Sequence, residues 1–179
     1  MLPLLLACTG TDPGTVDTQD AESIDIADID PDTLPEGDSP CREPELVFVY
    51  AAIDGDTIHV DSSLGEESIR MIGVDTPEVG WNGDPSDCYG QEAQAFTRNA
   101  LEDTEVWLTF DGTCTDIYDR TLAYVHVGSG DQDFFERQLL RGGYGWDYPW
   151  SGTDTFEDTF AQDAWHAESE GEGLWSTCN

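Results

Sequence analysis

The stretch Arg70-Met71-Ile72-Gly73-Val74-Asp75-Thr76-Pro77-Glu78 decides how this chain is interpreted. It begins in an apolar, β-branched run, residues 68–74, and ends in charged residues around a proline. A strand of this kind emerges from a core, so its last residues meet water beside the ends of neighbouring strands. The same change from apolar to charged residues occurs at Ile53-Asp54-Gly55-Asp56-Thr57 and at Asp116-Ile117-Tyr118-Asp119-Arg120-Thr121-Leu122-Ala123-Tyr124.

Together the three stretches supply several carboxylates and two guanidinium groups. Carboxylate oxygens bind hard divalent cations, and arginine binds phosphate through paired hydrogen bonds. The combination indicates phosphodiester chemistry. Taken singly, each group also has a structural explanation: the acidic stretches are typical of turns, Arg70 of a strand edge, and Arg120 of an ion pair with Asp116 or Asp119.

The hydrophobic pattern predicts an α+β fold, a five-stranded OB-fold β-barrel with three helices. Periodicity alone does not separate this barrel from other α+β folds. The predicted strands are residues 46–53, 57–60, 68–74, 106–110 and 121–127; the predicted helices are 91–102, 134–141 and 155–168; residues 75–89 and 144–153 are predicted to be loops.

The charge of the chain is extreme. Its 179 residues hold 39 acidic and 6 basic side chains, a formal net charge of -33, and every basic residue is an arginine. Such a surface repels polyanions, so composition alone disfavours nucleic acid as a partner. Salt screens exposed charges beyond about 8 Å at physiological ionic strength, which weakens that argument. The composition is typical of a protein secreted into salty water, or of a protein selected for solubility.

The N-terminal part is predicted to lie outside the folded domain. Leu5-Leu6-Ala7-Cys8 resembles a bacterial lipobox, which predicts that residues 1–8 are a signal remnant and that a lipidated Cys8 tethers the protein to a membrane. A merely apolar N-terminus is the alternative. Residues 9–43 are acidic and lack aromatic side chains, so we predict a disordered linker, followed by a folded domain over residues 45–178. The predicted location is a cell-surface or outer-membrane lipoprotein, or a secreted protein.

Setting Cys8 aside, four cysteines remain, and none has the C-x-x-C spacing of a zinc site. In an exported domain they favour disulfides. Four cysteines allow three pairings, of which we predict Cys88–Cys114, beside the proposed site, and Cys41–Cys178, joining the two ends of the domain.

Five motifs in series give the chain a resemblance to the staphylococcal nuclease (thermonuclease) family: D-G-D-T, R-x-x-x-V-D-T-P-E, Y-G-x-E-A-x-x-F-T, D-x-Y-x-R-x-L-A-Y and G-L-W-S. The resemblance implies an OB-fold endonuclease that depends on Ca²⁺ and acts on DNA and RNA. It also implies a role for each matching residue. Asp56, Asp75 and the carbonyl of Thr76 match the calcium ligands, Arg70 and Arg120 the phosphate-binding arginines, and Glu78 the glutamate that acts on the attacking water.

The chain departs from the family pattern at Ile117, where a basic residue is frequent, and at Asp119, where glycine is usual. Its aromatic loop over residues 144–150 does not align with the paired tyrosines that flank the nucleotide. We therefore predict that Trp146, Tyr148 or Trp150 stacks on bases, with core packing as the alternative. Tyr118 is predicted to contact the substrate together with Trp146 and Tyr148.

We expect a monomer. The sequence also allows two other functions: a catalytically silent OB-fold module that binds nucleic acid or protein, and an acidic surface lipoprotein that binds cations. Retention of both arginines, both aspartates and Glu78 favours the enzyme, because a binding module does not need all five.

Overall fold

The computed structural model describes residues 25–149 and 155–178. Five strands close into a barrel in the order β1-β2-β3-β6-β5, in which β3 and β6 run parallel and the other neighbours antiparallel. This confirms the predicted α+β barrel. The strands are β1 Glu45–Ala52, β2 Thr57–Ser62, β3 Gly65–Met71, β4 Gly73–Asp75, β5 Thr104–Thr109, β6 Thr121–His126 and β7 Trp146–Tyr148; the helices are α1 Gly90–Leu101, α2 Phe135–Arg141, α3 Glu157–Glu170 and the four-residue α4 Leu174–Thr177.

The barrel closes around fully buried aliphatic side chains, which alternate with more exposed residues along β1 as the period of a strand requires. Helices α2 and α3 pack beside the barrel, and Phe135 and Phe160 join its core. Among the described residues, none of the helices combines the length and the apolar character needed to cross a membrane. The buried barrel residues include Val49, Ile58, Val60, Ile69, Leu108 and Val125.

The predicted strand over residues 68–74 breaks at Ile72, so that β3 ends at Met71 and β4 begins at Gly73. Gly73 has a φ of +79°, and a Cβ there would lie 2.2 Å from the ring of Phe160, so only glycine fits without strain. Strand β4 leaves the barrel and pairs with β7, which brings Asp75 opposite Trp146. The prediction of a loop over residues 144–153 is thus wrong for β7, and Trp150 lies outside the described residues.

The N-terminal segment differs from the predicted disordered linker. Residues 25–43 pack against the barrel in two 3-10 turns, Ile26–Asp28 and Pro31–Thr33, whose N-caps are Asp25 and Asp30. Ile29 and Leu34 are buried, and Trp107 donates its Nε1–H to the carbonyl of Ile26 at 2.8 Å. Two buried apolar side chains, two capped turns and a disulfide at Cys41 hold this acidic segment against the barrel. Cys8 and the rest of the predicted linker lie outside the described residues.

The predicted disulfide pairing is wrong. The structure pairs Cys41 with Cys114 and Cys88 with Cys178, with Cα–Cα distances of 5.6 and 5.8 Å. The packed N-terminal segment explains the first bond: the N–H of Cys41 donates to the carbonyl of Asp111, three residues before Cys114. In the second bond, the chain that follows α4 is joined to the loop that precedes α1.

Candidate active site

Arg70 is the centre of the candidate site. It lies near the end of β3, and its side chain is 6% exposed. Its Nη1 is 2.7 Å from Oδ1 of Asp56, and its Nη2 donates to Oδ1 of Asp75 at the same distance. Nη1 also donates to the carbonyl of Val74 at 2.8 Å. One buried guanidinium therefore joins two aspartates that lie 19 positions apart in the chain.

Asp56 is held from its other side by the segment that follows β4. Its Oδ2 accepts hydrogen bonds from the backbone N–H of Thr76 at 2.7 Å and from the hydroxyl of Thr76 at 3.1 Å. Its own N–H donates to Oδ1 of Asp54 at 3.0 Å, which closes the Asp54-Gly55-Asp56 turn. The turn explanation of this triplet is correct, and the turn is also what places Asp56 against Arg70 and Thr76.

The site carries more acidic than basic groups, and burial together with neighbouring acids raises the pKa values of Asp56 and Glu78. Burial raises the pKa of Asp56 to about 7; Arg70 opposes the shift, and the charges of Asp54 and Asp75 add to it. The pKa of Glu78 is also raised, by partial burial first and then by Asp56 and Asp75, against the opposing charges of Arg70 and Arg120. Glu78 is thus close enough to all four charged groups to respond to them, although its side chain remains exposed.

Arg120 approaches from the loop before β6 and is held by Asp116. The carboxylate of Asp116 accepts hydrogen bonds from Nε of Arg120 at 2.7 Å and from the backbone N–H groups of Arg120 and Tyr118 at 2.9 and 2.8 Å. The ion pair expected from the sequence is therefore present. It uses Nε, while 28% of the Arg120 side chain stays exposed and Nη1 lies 3.4 Å from the hydroxyl of Thr57.

Asp119, where the family usually has glycine, has a φ of +62°. Aspartate is among the few residues with a side chain that enter this left-handed region readily. The departure from the family pattern therefore leaves the geometry of the loop achievable. The sequence indicates Asp116 only as an ion-pair partner of Arg120 and does not predict its three hydrogen bonds to the Tyr118–Arg120 loop.

The three aromatic residues predicted to contact substrate are all exposed: Tyr118 by 73%, Trp146 by 38% and Tyr148 by 45%. Tyr118 also lies beneath the guanidinium of Arg120, at 5.6 Å from its ring centre. Tyr144 instead stacks on Phe96, at 4.3 Å between ring centres, and packs against the core. The contact of Tyr118, Trp146 and Tyr148 with a substrate stays a prediction.

The fit of a metal ion can be judged from the donor groups. Within residues 25–149 and 155–178, no three His, Cys, Asp or Glu side chains are arranged around a common point. Asp56, Asp75 and the carbonyl of Thr76 offer only oxygen ligands, and the surplus of acidic over basic side chains around them suits an added cation. The chemistry of the donor set fits a hard divalent ion that keeps some of its water, while Arg70 lies between the two carboxylates in this structure.

Comparison with known proteins agrees with this geometry. Residues 68–177 match the family model described as staphylococcal nuclease homologue. The chain is 43% identical over 95 residues to a thermonuclease of Staphylococcus hyicus and 38% identical over 113 residues to one of Staphylococcus intermedius, which covers 53% and 60% of this chain. It is also 33% identical over 135 residues, 73% of its length, to the endonuclease YncB of Bacillus subtilis strain 168.

The matched regions span 54%, 66% and 61% of these three relatives, so the chain covers between about half and two thirds of each. The family model itself covers more than half of this chain and includes Arg70, Asp75, Glu78 and Arg120. The chain therefore belongs to the staphylococcal nuclease homologue family.

Proposed function

We propose that this protein is a calcium-dependent nuclease that hydrolyses phosphodiester bonds of DNA, RNA or both. The observation that carries the proposal is that Asp56, Arg70, Asp75, Glu78 and Arg120, which come from three stretches of the chain, form one group of interacting charges. The thermonuclease and endonuclease names of the relatives support it.

In the proposed reaction the two arginines bind the phosphate. Negative charge grows on the phosphoryl oxygens as a nucleophile attacks, and fixed positive groups aimed at those oxygens lower the barrier. Arg120 is the more accessible of the two, because part of its side chain faces solvent. Asp116 binds its Nε and so holds the guanidinium in place. Arg70 is more deeply buried and is fixed by Asp56 and Asp75.

Glu78 acts on the attacking water. A water oxygen forms a bond to phosphorus, Glu78 accepts the proton of that water, and the ester P–O bond breaks; the leaving sugar oxygen takes up a proton from solvent. Its raised pKa makes it a stronger base than an ordinary exposed glutamate, and its exposed position leaves the carboxylate open to water.

Asp56, Asp75 and the carbonyl of Thr76 hold the calcium ion in this proposal. When bound, a cation at these oxygens supplies positive charge for a phosphate oxygen and orients water. Asp54 contributes through the turn that holds Asp56, and Thr76 through the two hydrogen bonds that it donates to Asp56.

The proposal is tested by nicking of supercoiled plasmid and cleavage of RNA with Ca²⁺ and then with a chelator of Ca²⁺. Cleavage should require Ca²⁺, and Glu78→Gln should lower turnover by orders of magnitude while Glu92→Gln leaves it unchanged. Glu92 is a matched control because it is an exposed glutamate in the first turn of α1. Absence of Ca²⁺-dependent cleavage at any salt concentration would overturn the proposal and leave the silent binding module and the acidic cation-binding lipoprotein.

Export is part of the proposal, with Cys8 as the site of a lipid anchor. The four cysteines at positions 41, 88, 114 and 178 form two disulfides, which persist in oxidising compartments, and this supports export. Expression in a bacterial host should place the wild-type chain in the membrane fraction and Cys8→Ser in the soluble exported fraction. Equal distribution of the two proteins would remove the anchor from the proposal.

A further inference from the structure

The loop that carries Glu78 is fastened to the protein at several points. Residues 76–89 contain no helix or strand and connect β4 to α1. A long loop of this kind is ordinarily a mobile part of a fold. The positioning of a catalytic carboxylate on such a loop needs fixed contacts, because displacement of a reacting group by about 1 Å can cost on the order of 10²-fold in rate.

Asp87 makes two of these contacts, both to Glu78. The N–H of Asp87 donates to the carbonyl of Glu78 at 2.9 Å, and Oδ2 of Asp87 accepts from the N–H of Glu78 at 3.4 Å. The two residues are thus joined through both backbone polar groups of Glu78. The carbonyl of Asp87 in turn accepts from the N–H of Gly90, the first residue of α1, at 3.1 Å.

Gly90 brings the helix close to the same backbone. A Cβ at Gly90 would lie 2.4 Å from the carbonyl oxygen of Glu78, so a side chain there would push Glu78 away. The start of α1 therefore packs directly against the Glu78 backbone, and Asp87 links Glu78 to this end of the helix through its hydrogen bonds.

The disulfide Cys88–Cys178 anchors this arrangement to the C-terminal end of the described chain. Cys88 is adjacent to Asp87, and Cys178 follows α4, where its N–H donates to the carbonyl of Leu174 at 2.8 Å. Leu174 is buried, and its N–H donates to the carbonyl of Gly143 at 2.9 Å. The covalent bond thus connects the Glu78 loop to a firmly packed element.

We propose that Asp87, held in place by the Cys88–Cys178 disulfide, is a positioning residue for Glu78. The inference rests on the proposed nuclease function and adds a residue and a covalent bond to it. Neither Asp87 nor the disulfide contacts substrate in this proposal; both act through the backbone of Glu78.

The first experiment compares Asp87→Ala, Asp87→Asn and Asp84→Ala in calcium-dependent cleavage of an oligonucleotide. Asp87→Ala removes the side-chain bond to the N–H of Glu78 and keeps the backbone bond to its carbonyl. It should lower kcat about 10-fold and leave KM unchanged, because Glu78 shifts while the phosphate-binding arginines stay in place. Asp87→Asn should retain most of kcat, since its side-chain oxygen still accepts from Glu78. Asp84→Ala is the matched control, an exposed aspartate of the same loop whose hydrogen bond to Trp81 is made by its backbone.

A second measurement separates positioning from general destabilisation. In a Glu78→Gln background, Asp87→Ala should cause no further loss of kcat, because the group that it positions has already been disabled. The double variant Cys88→Ser/Cys178→Ser, assayed below its unfolding temperature, should likewise lower kcat when Glu78 is present and cause no further loss in the Glu78→Gln background. Equal kcat in Asp87→Ala and Asp84→Ala, or a full loss that persists in the Glu78→Gln background, overturns the inference. An inactive wild-type protein would instead count against the proposed function itself.

Discussion

Arg70 and Arg120 are the same type of residue in different surroundings, and the difference decides what each substitution should do. Arg70 is buried between two carboxylates, whereas Arg120 is partly exposed and paired with one. Removal of a buried charge leaves its partners uncompensated, which costs far more than the loss of an exposed ion pair.

We predict that Arg70→Ala abolishes activity and also lowers the free energy of unfolding by about 3–5 kcal/mol. The loss of stability distinguishes Arg70 from a residue with a purely catalytic role, whose replacement would leave the free energy of unfolding unchanged. Adding Asp56→Asn to Arg70→Ala should restore part of the lost stability, because the neutral amide removes a buried charge that has lost its partner. Urea unfolding of the two variants checks this; equal stabilities for the single and double variants would contradict it.

Asp116 gives a second prediction at the residue scale. Its side chain is fully buried and accepts from Arg120 and from the backbone of the same loop. Asp116→Ala should lower kcat/KM about 10- to 100-fold, because Arg120 loses the group that orients it. Asp119→Asn is the comparison, since it removes the charge of an exposed acid of the same loop and keeps a residue that suits the positive φ. A smaller effect for Asp116→Ala than for Asp119→Asn would show that Asp116 does not orient Arg120.

At this scale the sequence is informative where a residue belongs to a compact motif. The spacing of D-x-Y-x-R brings Asp116, Tyr118 and Arg120 into one loop, and their contact follows from short range. Asp87 belongs to no such motif, and its contact with Glu78 depends on a fold of the loop back on itself. Local spacing therefore predicts the Asp116–Arg120 pair and misses the Asp87–Glu78 pair.

Among the elements, the N-terminal segment over residues 25–43 packs against the barrel instead of forming the predicted disordered linker, and this packing can be tested. Leu34 is 5% exposed against the barrel, whereas Leu64, in the turn between β2 and β3, is 73% exposed. Leu34→Ala should lower the free energy of unfolding by about 2–3 kcal/mol, and Leu64→Ala should change it by less than about 0.5 kcal/mol. Equal effects in thermal or urea unfolding would place residues 25–43 outside the folded unit.

His126, the last residue of β6, lies beside that segment. Burial lowers its pKa to about 4 from its ordinary value of 6.5, and the carbonyl of Pro35 opposes the shift. The unfolded chain therefore takes up a proton between pH 6.5 and 4 that the folded chain does not, so stability falls as pH falls through this window. The contribution of His126 to the free energy of unfolding should be about 2 kcal/mol smaller at pH 5 than at pH 7.5. Urea unfolding of wild type and His126→Gln at both pH values measures this contribution as the difference between the two proteins. A difference independent of pH would contradict it.

The elements of the barrel could be predicted because the spacing of apolar residues in each segment follows the period of a strand or of a helix. The sheet of β4 and β7 could not, since it depends on the break at Ile72 and on a partner more than 70 positions further along the chain. The disulfides were missed for a similar reason. Their pairing follows from the packing of the N-terminal segment and of α4, neither of which has a strong local signal.

For the molecule as a whole, the distribution of charge matters more than its total. Each of the six arginines contacts at least one acidic side chain, so the described residues hold no arginine cluster free to follow a nucleic-acid backbone. The pairs are Arg42 with Glu45 and Glu67, Arg70 with Asp56 and Asp75, Arg98 with Glu102, Arg120 with Asp116, and Arg137 and Arg141 with Asp131 and Asp163.

This arrangement predicts an unusual dependence of activity on salt. A protein that makes six to ten phosphate contacts loses about 10³–10⁵ in affinity between 50 and 200 mM salt, because counterions compete for the phosphates. Two arginines set a limit of roughly 10-fold over the same range, and the formal charge of -33 reduces even that, since salt screens the repulsion between protein and substrate. We therefore expect kcat/KM for a single-stranded oligonucleotide, at saturating Ca²⁺, to stay level or to rise from 50 to 200 mM NaCl. A fall well beyond 10-fold would mean that further cationic side chains bind the substrate, and it would contradict a site in which Arg70 and Arg120 are the only side chains of the protein that bind phosphate.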